Sequence, residues 1–249
     1  MTCPQAKTVS RLLCLAAAAC LTGCWVPPPP DEKIGFFLGS RQDLRRTKRV
    51  VFVELTPFGT CPPQIAWDMT ETLGHALQRR GLFRVDVVRR TDPMCRDLPL
   101  DRVEAFSIED LAQIRKALGC DAVLLGNVSR FQPYPRMQLA LYLRMIDLRH
   151  GKLLWGVDHT WDSTAVGTER RIRRYFHDEV REGYDPLGWE LILKSPRAFE
   201  KFVAHEAAGT LPARRRAAKA RPQQGAADRP GTSKSGAKKT PPPAPKNLE

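Results

Sequence analysis

The sequence predicts an α/β domain with the element order β-α-β-α-β-β-β followed by C-terminal helices, and three observations predict it. Strand-length β-branched runs alternate with stretches whose apolar residues recur three and four apart. Gly81 and Gly119 stand where the first two of those helices must stop. Two segments of strict apolar–polar alternation then follow, joined by a turn-forming string.

Arg49-Val50-Val51-Phe52-Val53-Glu54-Leu55 reads as a buried strand closed by Thr56-Pro57-Phe58-Gly59. Pro62 and Pro63 open a helix, where a missing N–H costs little, and Ile65, Met69, Leu73, Ala76 and Leu77 share one face of it. A second strand, 82–88, precedes a loop rich in Pro and Asp. Ser107 and Asp110 make a capping-box pattern for a helix carrying Ile108, Leu111, Ile114 and Leu118. Cys120 to Val128 is a strand that begins buried and ends half-exposed. Met137, Leu139, Leu141, Leu143 and Met145 form the core face of the next strand. The string Asp147-Leu148-Arg149-His150-Gly151-Lys152 turns the chain, and Leu153, Trp155, Val157, His159 and Trp161 alternate on the return, giving an antiparallel hairpin. Helices over 170–180 and 196–206 complete the order.

The front of the chain is of another kind. Lys7 and Arg11 precede an apolar run from Leu12 to Leu21 that is half the length needed to span a bilayer, so residues 1–23 read as a signal peptide. Leu21-Thr22-Gly23-Cys24 resembles the lipobox of bacterial lipoproteins, which implies that Cys24 receives diacylglycerol and becomes the first residue of the mature chain. Trp25 in place of Asp at the next position points to the outer membrane under the sorting rule of well-studied didermic bacteria. Residues 24–48 are then a lipid anchor and linker, stiffened by Pro27 to Pro30. Within it Ile34-Gly35-Phe36-Phe37-Leu38 either packs on the domain, the favoured reading, or rests on the lipid surface. The domain proper runs 49–211.

Net charge separates the parts. Of the formal +13, the signal region contributes +2 and the tail 212–249 contributes +8, leaving about +3 for everything else. That remainder lacks the basic footprint expected of a nucleic-acid-binding domain, so no nucleic acid is expected as partner. The tail combines Pro, Ala, Gly, Lys and Arg with almost no large apolar residues, and its composition predicts disorder. It either grips an anionic lipid or polymer or merely solubilises the terminus.

The element order, together with Leu118-Gly119-Cys120-Asp121-Ala122-Val123-Leu124-Leu125-Gly126 and Met145-Ile146-Asp147 through Gly151-Lys152-Leu153-Leu154-Trp155, resembles a domain found in several envelope proteins. These are the curli-secretion lipoproteins, the penicillin-binding-protein activator lipoproteins and the N-terminal domain of the Tol-Pal periplasmic protein. The resemblance implies a mixed α/β sheet with helices packed on it, and a binding or assembly role facing the periplasm with an envelope protein as partner. A subunit of an oligomeric export apparatus is the alternative, and a homo-oligomer would accompany it. The alternating segments needed for a transmembrane barrel are already used by the domain's own sheet.

Little else carries chemistry. With Cys3, Cys14 and Cys20 in the signal region and Cys24 acylated, Cys61, Cys95 and Cys120 remain. In an oxidising compartment a Cys61–Cys95 disulfide is favoured over separate free thiols, with Cys120 a small core residue. The histidines at 75, 150, 159, 177 and 205 lack metal-ligand spacing, and no metal or other cofactor is expected. His159 reads as a core residue of an apolar strand face, and His177-Asp178-Glu179 as a solvated face. Arg170, Arg171, Arg173 and Arg174 read as the outer face of a docked helix rather than a membrane-surface segment. No Gly-x-Ser-x-Gly, phosphate loop or dinucleotide glycine pattern is present, so no catalytic residue is assigned and an enzyme is the third reading.

Overall fold

Alternation in β2 (Arg49–Val53) sends Val50 and Phe52 to one core and Val51 and Val53 to another, so this strand must be covered on both faces. A computed structural model of the chain describes residues 33–100, 106–180 and 188–213. The expected signal peptide, Cys24, the Pro27–Pro30 run and the basic tail from Arg214 lie outside the described residues.

The strands that follow make a mixed sheet. In sequence they are β1 (Phe36–Leu38), β2, β3 (Thr56–Pro57), β4 (Arg84–Val88), β5 (Ala122–Gln132), β6 (Gln138–Asp147) and β7 (Leu153–Asp162). Across the sheet the order is β1-β7-β6-β5-β2-β4, with β3 paired to β5 off that path. β2 pairs in parallel with β4 and with β5, which requires the crossovers that helices α2 (Pro63–Arg80) and α3 (Ile108–Leu118) supply. β5, β6 and β7 form an antiparallel meander. β5 is therefore the strand on which the parallel and antiparallel halves meet, and the fold is the mixed α/β arrangement the sequence predicts.

Local chemistry fixes both crossover helices. Pro63 occupies the first turn of α2, and Gly81 ends it with φ 67°. Ser107 and Asp110 cap α3 reciprocally, and Gly119 closes it with φ 58°. Helices α4 (Val166–Tyr175), α5 (Glu190–Lys194) and α6 (Pro196–Gly209) contribute Ile172, Ile192, Phe199, Phe202 and Val203 to the core that α2 covers. α4 runs on into a π-helical turn, Phe176–Val180. The opposite core is smaller, with Leu111, Ile114 and Leu118 of α3 and the segment holding Cys95 and Leu100 over β2 and β5. The end of α6 is tied down: Trp155 Nε1 donates to Thr210 Oγ1 at 2.8 Å, and the Arg80 guanidinium donates to the Leu211 carbonyl. The arginine-rich helix is docked on the domain, but Arg171 is not on its outer face: its side chain is 10% exposed and pairs with Glu206 of α6 at 2.6 Å.

Three expectations need correction. The linker does not extend to residue 48, because β1 pairs antiparallel with β7 and helix α1 (Arg41–Arg46) buries Leu44 under a Ser40 cap. Ile34 and Leu38 thus pack on the domain, while Phe36 and Phe37 between them stay exposed. Helix boundaries shift as well: α4 begins at Val166 and α6 continues to Gly209, while α5, five residues long, was not expected. Such a short helix shows no periodicity to detect. Finally, the Cys61–Cys95 link is not made. All three described thiols are free and buried, with Cys61 in the core beneath α2 and Cys95 in the core beneath α3, so the sheet stands between them.

Burial pushes the Cys61 and Cys95 thiols up, and raises Cys120 to about 11. Buried thiols in this state react slowly. Native protein treated with iodoacetamide should therefore leave the peptides of Cys61, Cys95 and Cys120 unmodified, and denaturant without reductant should expose all three to alkylation. A mapped peptide bridged between residues 61 and 95 would reverse the assignment.

Candidate functional site

One end of the sheet gathers the starts of β2, β4, β5 and β7, the end of β6 and helix α1. Asp121, in the turn between α3 and β5, is the hub of this end. Its Oδ2 accepts the backbone N–H groups of Lys48 at 2.9 Å and Arg49 at 3.2 Å, and its Oδ1 accepts from Arg149 Nη2 at 2.9 Å. Its own N–H donates to the Arg49 carbonyl, and its carbonyl accepts from Leu148 N–H, both at 3.0 Å. Partial burial works against ionisation, but the two amides and the guanidinium overcome it and hold the carboxyl below its usual range.

Two further carboxylates are committed in the same way. Asp147 accepts the backbone N–H groups of Arg149 and His150 and lies 2.7 Å from His150 Nδ1, which shapes the β6–β7 turn. Gly151 completes that turn with φ 68°, which favours glycine, and a Cβ there would stand 3.1 Å from Leu111 of α3. Asp86 holds Arg49 at 2.6 Å and Arg84 at 2.8 Å. Burial opposes its ionisation, and hydrogen bonds to the two guanidinium groups bring its pKa down. The two strings that carry the envelope-domain resemblance are thus neighbours in space, joined through Asp121 and Arg149.

Around this hub the chain leaves a cationic groove. Leu111, Ala112 and Leu148 line it with the 81% exposed Ile108, and Arg115, Lys116, Arg149 and His150 supply its polar wall. Its volume is about 610 Å³. A smaller notch shares Arg149 and His150 with it and is lined as well by Arg46, Thr47, Asp43, Asp121 and Asp147. Apolar floor and cationic wall together suit a segment that carries both apolar and acidic groups.

A second unusual group lies between α2 and α6. Glu200 is 2% exposed, and its Oε1 has no hydrogen-bond partner among the described residues. Burial, with Asp68 adding to it and Arg197 opposing, pushes its pKa up to about 7. A cleft of about 170 Å³ lined by Asp68, Glu71, Arg197 and Lys201 adjoins it.

The remaining predicted residues fall as follows. Cys24 is outside the described residues. His159 is buried edge-on to Trp161, with ring centroids 4.7 Å apart. His177 is exposed beside Asp178. His205 packs on Tyr175, and burial foremost lowers its pKa. Among the described residues no three of His, Cys, Asp and Glu converge as a metal site would require, and no helix is long and apolar enough to cross a membrane. Sequence reasoning did not single out Asp121 or Glu200. The signal for Glu200 was present: it sits four and eight residues before Ala204 and Ala208, in the apolar arc of α6.

No protein-family model matches the chain, and no curated protein matches it. Solved structures similar to it include the PelC dodecamer from Paraburkholderia phytofirmans, at 13% identity and TM-score 0.40 over 70% of this chain and 96% of that one. Lipoprotein GNA1162 from Neisseria meningitidis is similar at 15% identity and TM-score 0.39, over 55% of this chain and 99% of its own. The LpoB C-terminal domain from Salmonella enterica is similar at 20% identity and TM-score 0.33, over 46% and 82%. At this level of likeness the functional reading falls to the chain's own residues.

Replacing Asp121 with Ala should remove about 2–3 kcal/mol of stability at pH 7, because two backbone donors and a guanidinium lose an ionised acceptor. A carboxyl held low stabilises above its unfolded pKa and ceases to as pH falls through the folded one, so the deficit should shrink in acid. Denaturant unfolding at neutral and acid pH measures both, and a deficit under about 0.5 kcal/mol at pH 7 would refute the hub.

Glu200 has the opposite sign. A carboxyl raised from 4.5 to about 7 gives stability that is full below pH 4.5 and lost as pH climbs through 7. Glu200→Gln should flatten that decline and be more stable than the parent by roughly 1–2 kcal/mol at pH 8, after allowing for a buried amide. Parallel pH–stability curves for parent and variant would contradict this.

Proposed function

We propose that this chain is an envelope lipoprotein, held to a membrane through acylated Cys24, whose mixed α/β domain binds another envelope component as an assembly or accessory factor. The observation that carries the reading is Leu21-Thr22-Gly23-Cys24, placed directly after a cationic and apolar leader and directly before a proline-rich mature start. Two or more acyl chains make such attachment stable, since each buried CH₂ contributes about 0.8 kcal/mol. The domain faces the periplasm, and Trp25 favours the outer membrane.

Binding rather than catalysis is favoured by the state of the clustered carboxylates. Asp86, Asp121 and Asp147 are occupied by backbone amides, arginines and His150 in structural roles. The groove between α3 and the β6–β7 turn is the surface we assign to the partner, which should offer acidic and apolar groups together. In a second reading the chain is one subunit of an oligomeric export apparatus. A ring in detergent extracts would favour that reading, and a monomer the adaptor.

The experiment places a photocrosslinking residue at Ile108 in cells that make either the parent or Cys24→Ser. The parent should fractionate with membranes and give a discrete adduct of one added mass. Cys24→Ser should leave the membrane fraction, change in processing and lose the adduct. Unaltered size, processing and fractionation of Cys24→Ser would overturn the anchor. An anchored parent without any adduct from the groove would overturn the binding surface.

A further inference from the structure

We infer that β1 and α1 form a membrane seat, an aromatic and cationic surface that lays this corner of the domain against an anionic lipid bilayer. Phe36 and Phe37 are each 51% exposed although they lie in a sheet strand. β1 is the edge strand beside β7, with Phe36 opposite Val157 and Phe37 opposite Gly156, so the two rings project from opposite faces of the sheet's rim. Edge strands are ordinarily blunted with charge or proline. This one presents two large apolar side chains instead, as surfaces that meet a partner or a membrane do.

The residues that follow add a cationic excess, with Arg41, Arg45 and Arg46 against Asp43. Gly39 and Ser40 lead into α1, where Leu44 and Thr47 are buried and Asp43 is half-buried. Arg41, Arg45 and Arg46 occupy the outward side of the helix, all exposed, and exposed Lys33 and Lys48 flank the segment. The arrangement sets exposed cations in the residues beside two exposed aromatic rings, which matches a headgroup layer above an acyl boundary.

The route of the chain selects lipid over an acidic protein as occupant. Phe36 is twelve residues after Cys24, a span of at most roughly 40 Å at ~3.1–3.6 Å per residue, so a membrane holding Cys24 is within reach of the corner. This last step rests on the anchor proposed above. The seat itself does not need the acyl chains, and that separates the two tests.

The mature chain, residues 24–249 with Cys24→Ser, is mixed with phosphatidylcholine vesicles with or without phosphatidylglycerol, at low and high salt. It should sediment with the anionic vesicles and be released by salt. Phe36→Ser with Phe37→Ser should weaken that binding about tenfold. Arg41→Gln with Arg45→Gln and Arg46→Gln should weaken it about a hundredfold. All three arginines are exposed, so this second variant tests the surface even where serine at the edge loosens β1. A bimane on Phe37→Cys should be quenched by brominated acyl chains, a readout specific to this corner of the domain. Parental affinity in both variants, an unquenched bimane, or binding only to acidic protein and not to vesicles would each overturn the seat while leaving the acylation of Cys24 untouched.

Discussion

The carboxylate of Asp121 is the contact on which the two halves of this sheet depend. Parallel pairing of β2 with β5 requires the chain to arrive at both strand starts in register, and antiparallel pairing of β5 with β6 requires the β6–β7 turn to close at the same end. One side chain answers both demands, because its two oxygens take the amides of Lys48 and Arg49 on one side and the guanidinium of Arg149 on the other. An ionised acceptor makes each of these bonds stronger than its neutral counterpart. The backbone of the same residue adds two more bonds, to Arg49 and Leu148. Register, turn and strand start are thus set by one residue at the point where the topology changes.

The sheet's two faces are unequal, and the inequality explains where the unusual groups lie. The face under α2, α4, α5 and α6 holds most of the large buried side chains, among them Trp155, Trp161, Phe199 and Phe202. A polar group trapped there has few partners, and Glu200 is such a group. The face under α3 has the smaller core, and a groove opens at its rim where α3 meets the β6–β7 turn. Stability is concentrated on the first face and access on the second.

What the sequence disclosed follows the same physics. Pro63, Gly81, the Ser107–Asp110 box and Gly119 act through their own backbone, so α2 and α3 were legible with their ends. The alternation in β6 and β7 was legible because one face is buried along nearly their whole length. β1 and α1 were not, since three and six residues give no period and their pairing with β7 is remote in sequence. The pairing of Cys61 with Cys95 failed for a related reason. Both lie in connecting segments, and only the packing of those segments on opposite faces tells them apart. Asp121 was visible as part of a turn motif, but its partners at Lys48 and Arg149 are far away along the chain.

Charge shows the gap between counting and placing most plainly. Outside residues 1–23 and 212–249 the count is near balance, yet the acids and bases at the sheet's end are not equivalent in space. The side chains of Asp86, Asp121 and Asp147 are 22%, 21% and 15% exposed, turned inward onto amides and cations, whereas the arginines of α1 point to solvent. An acid engaged by backbone donors contributes less to the field outside than an exposed guanidinium does, because its charge is already met at contact distance. The fold therefore converts a nearly neutral composition into a cationic end as a consequence of building that end. The residues that hold the sheet together draw the carboxylates inward, and the cations left at the perimeter are what an anionic surface or partner would encounter.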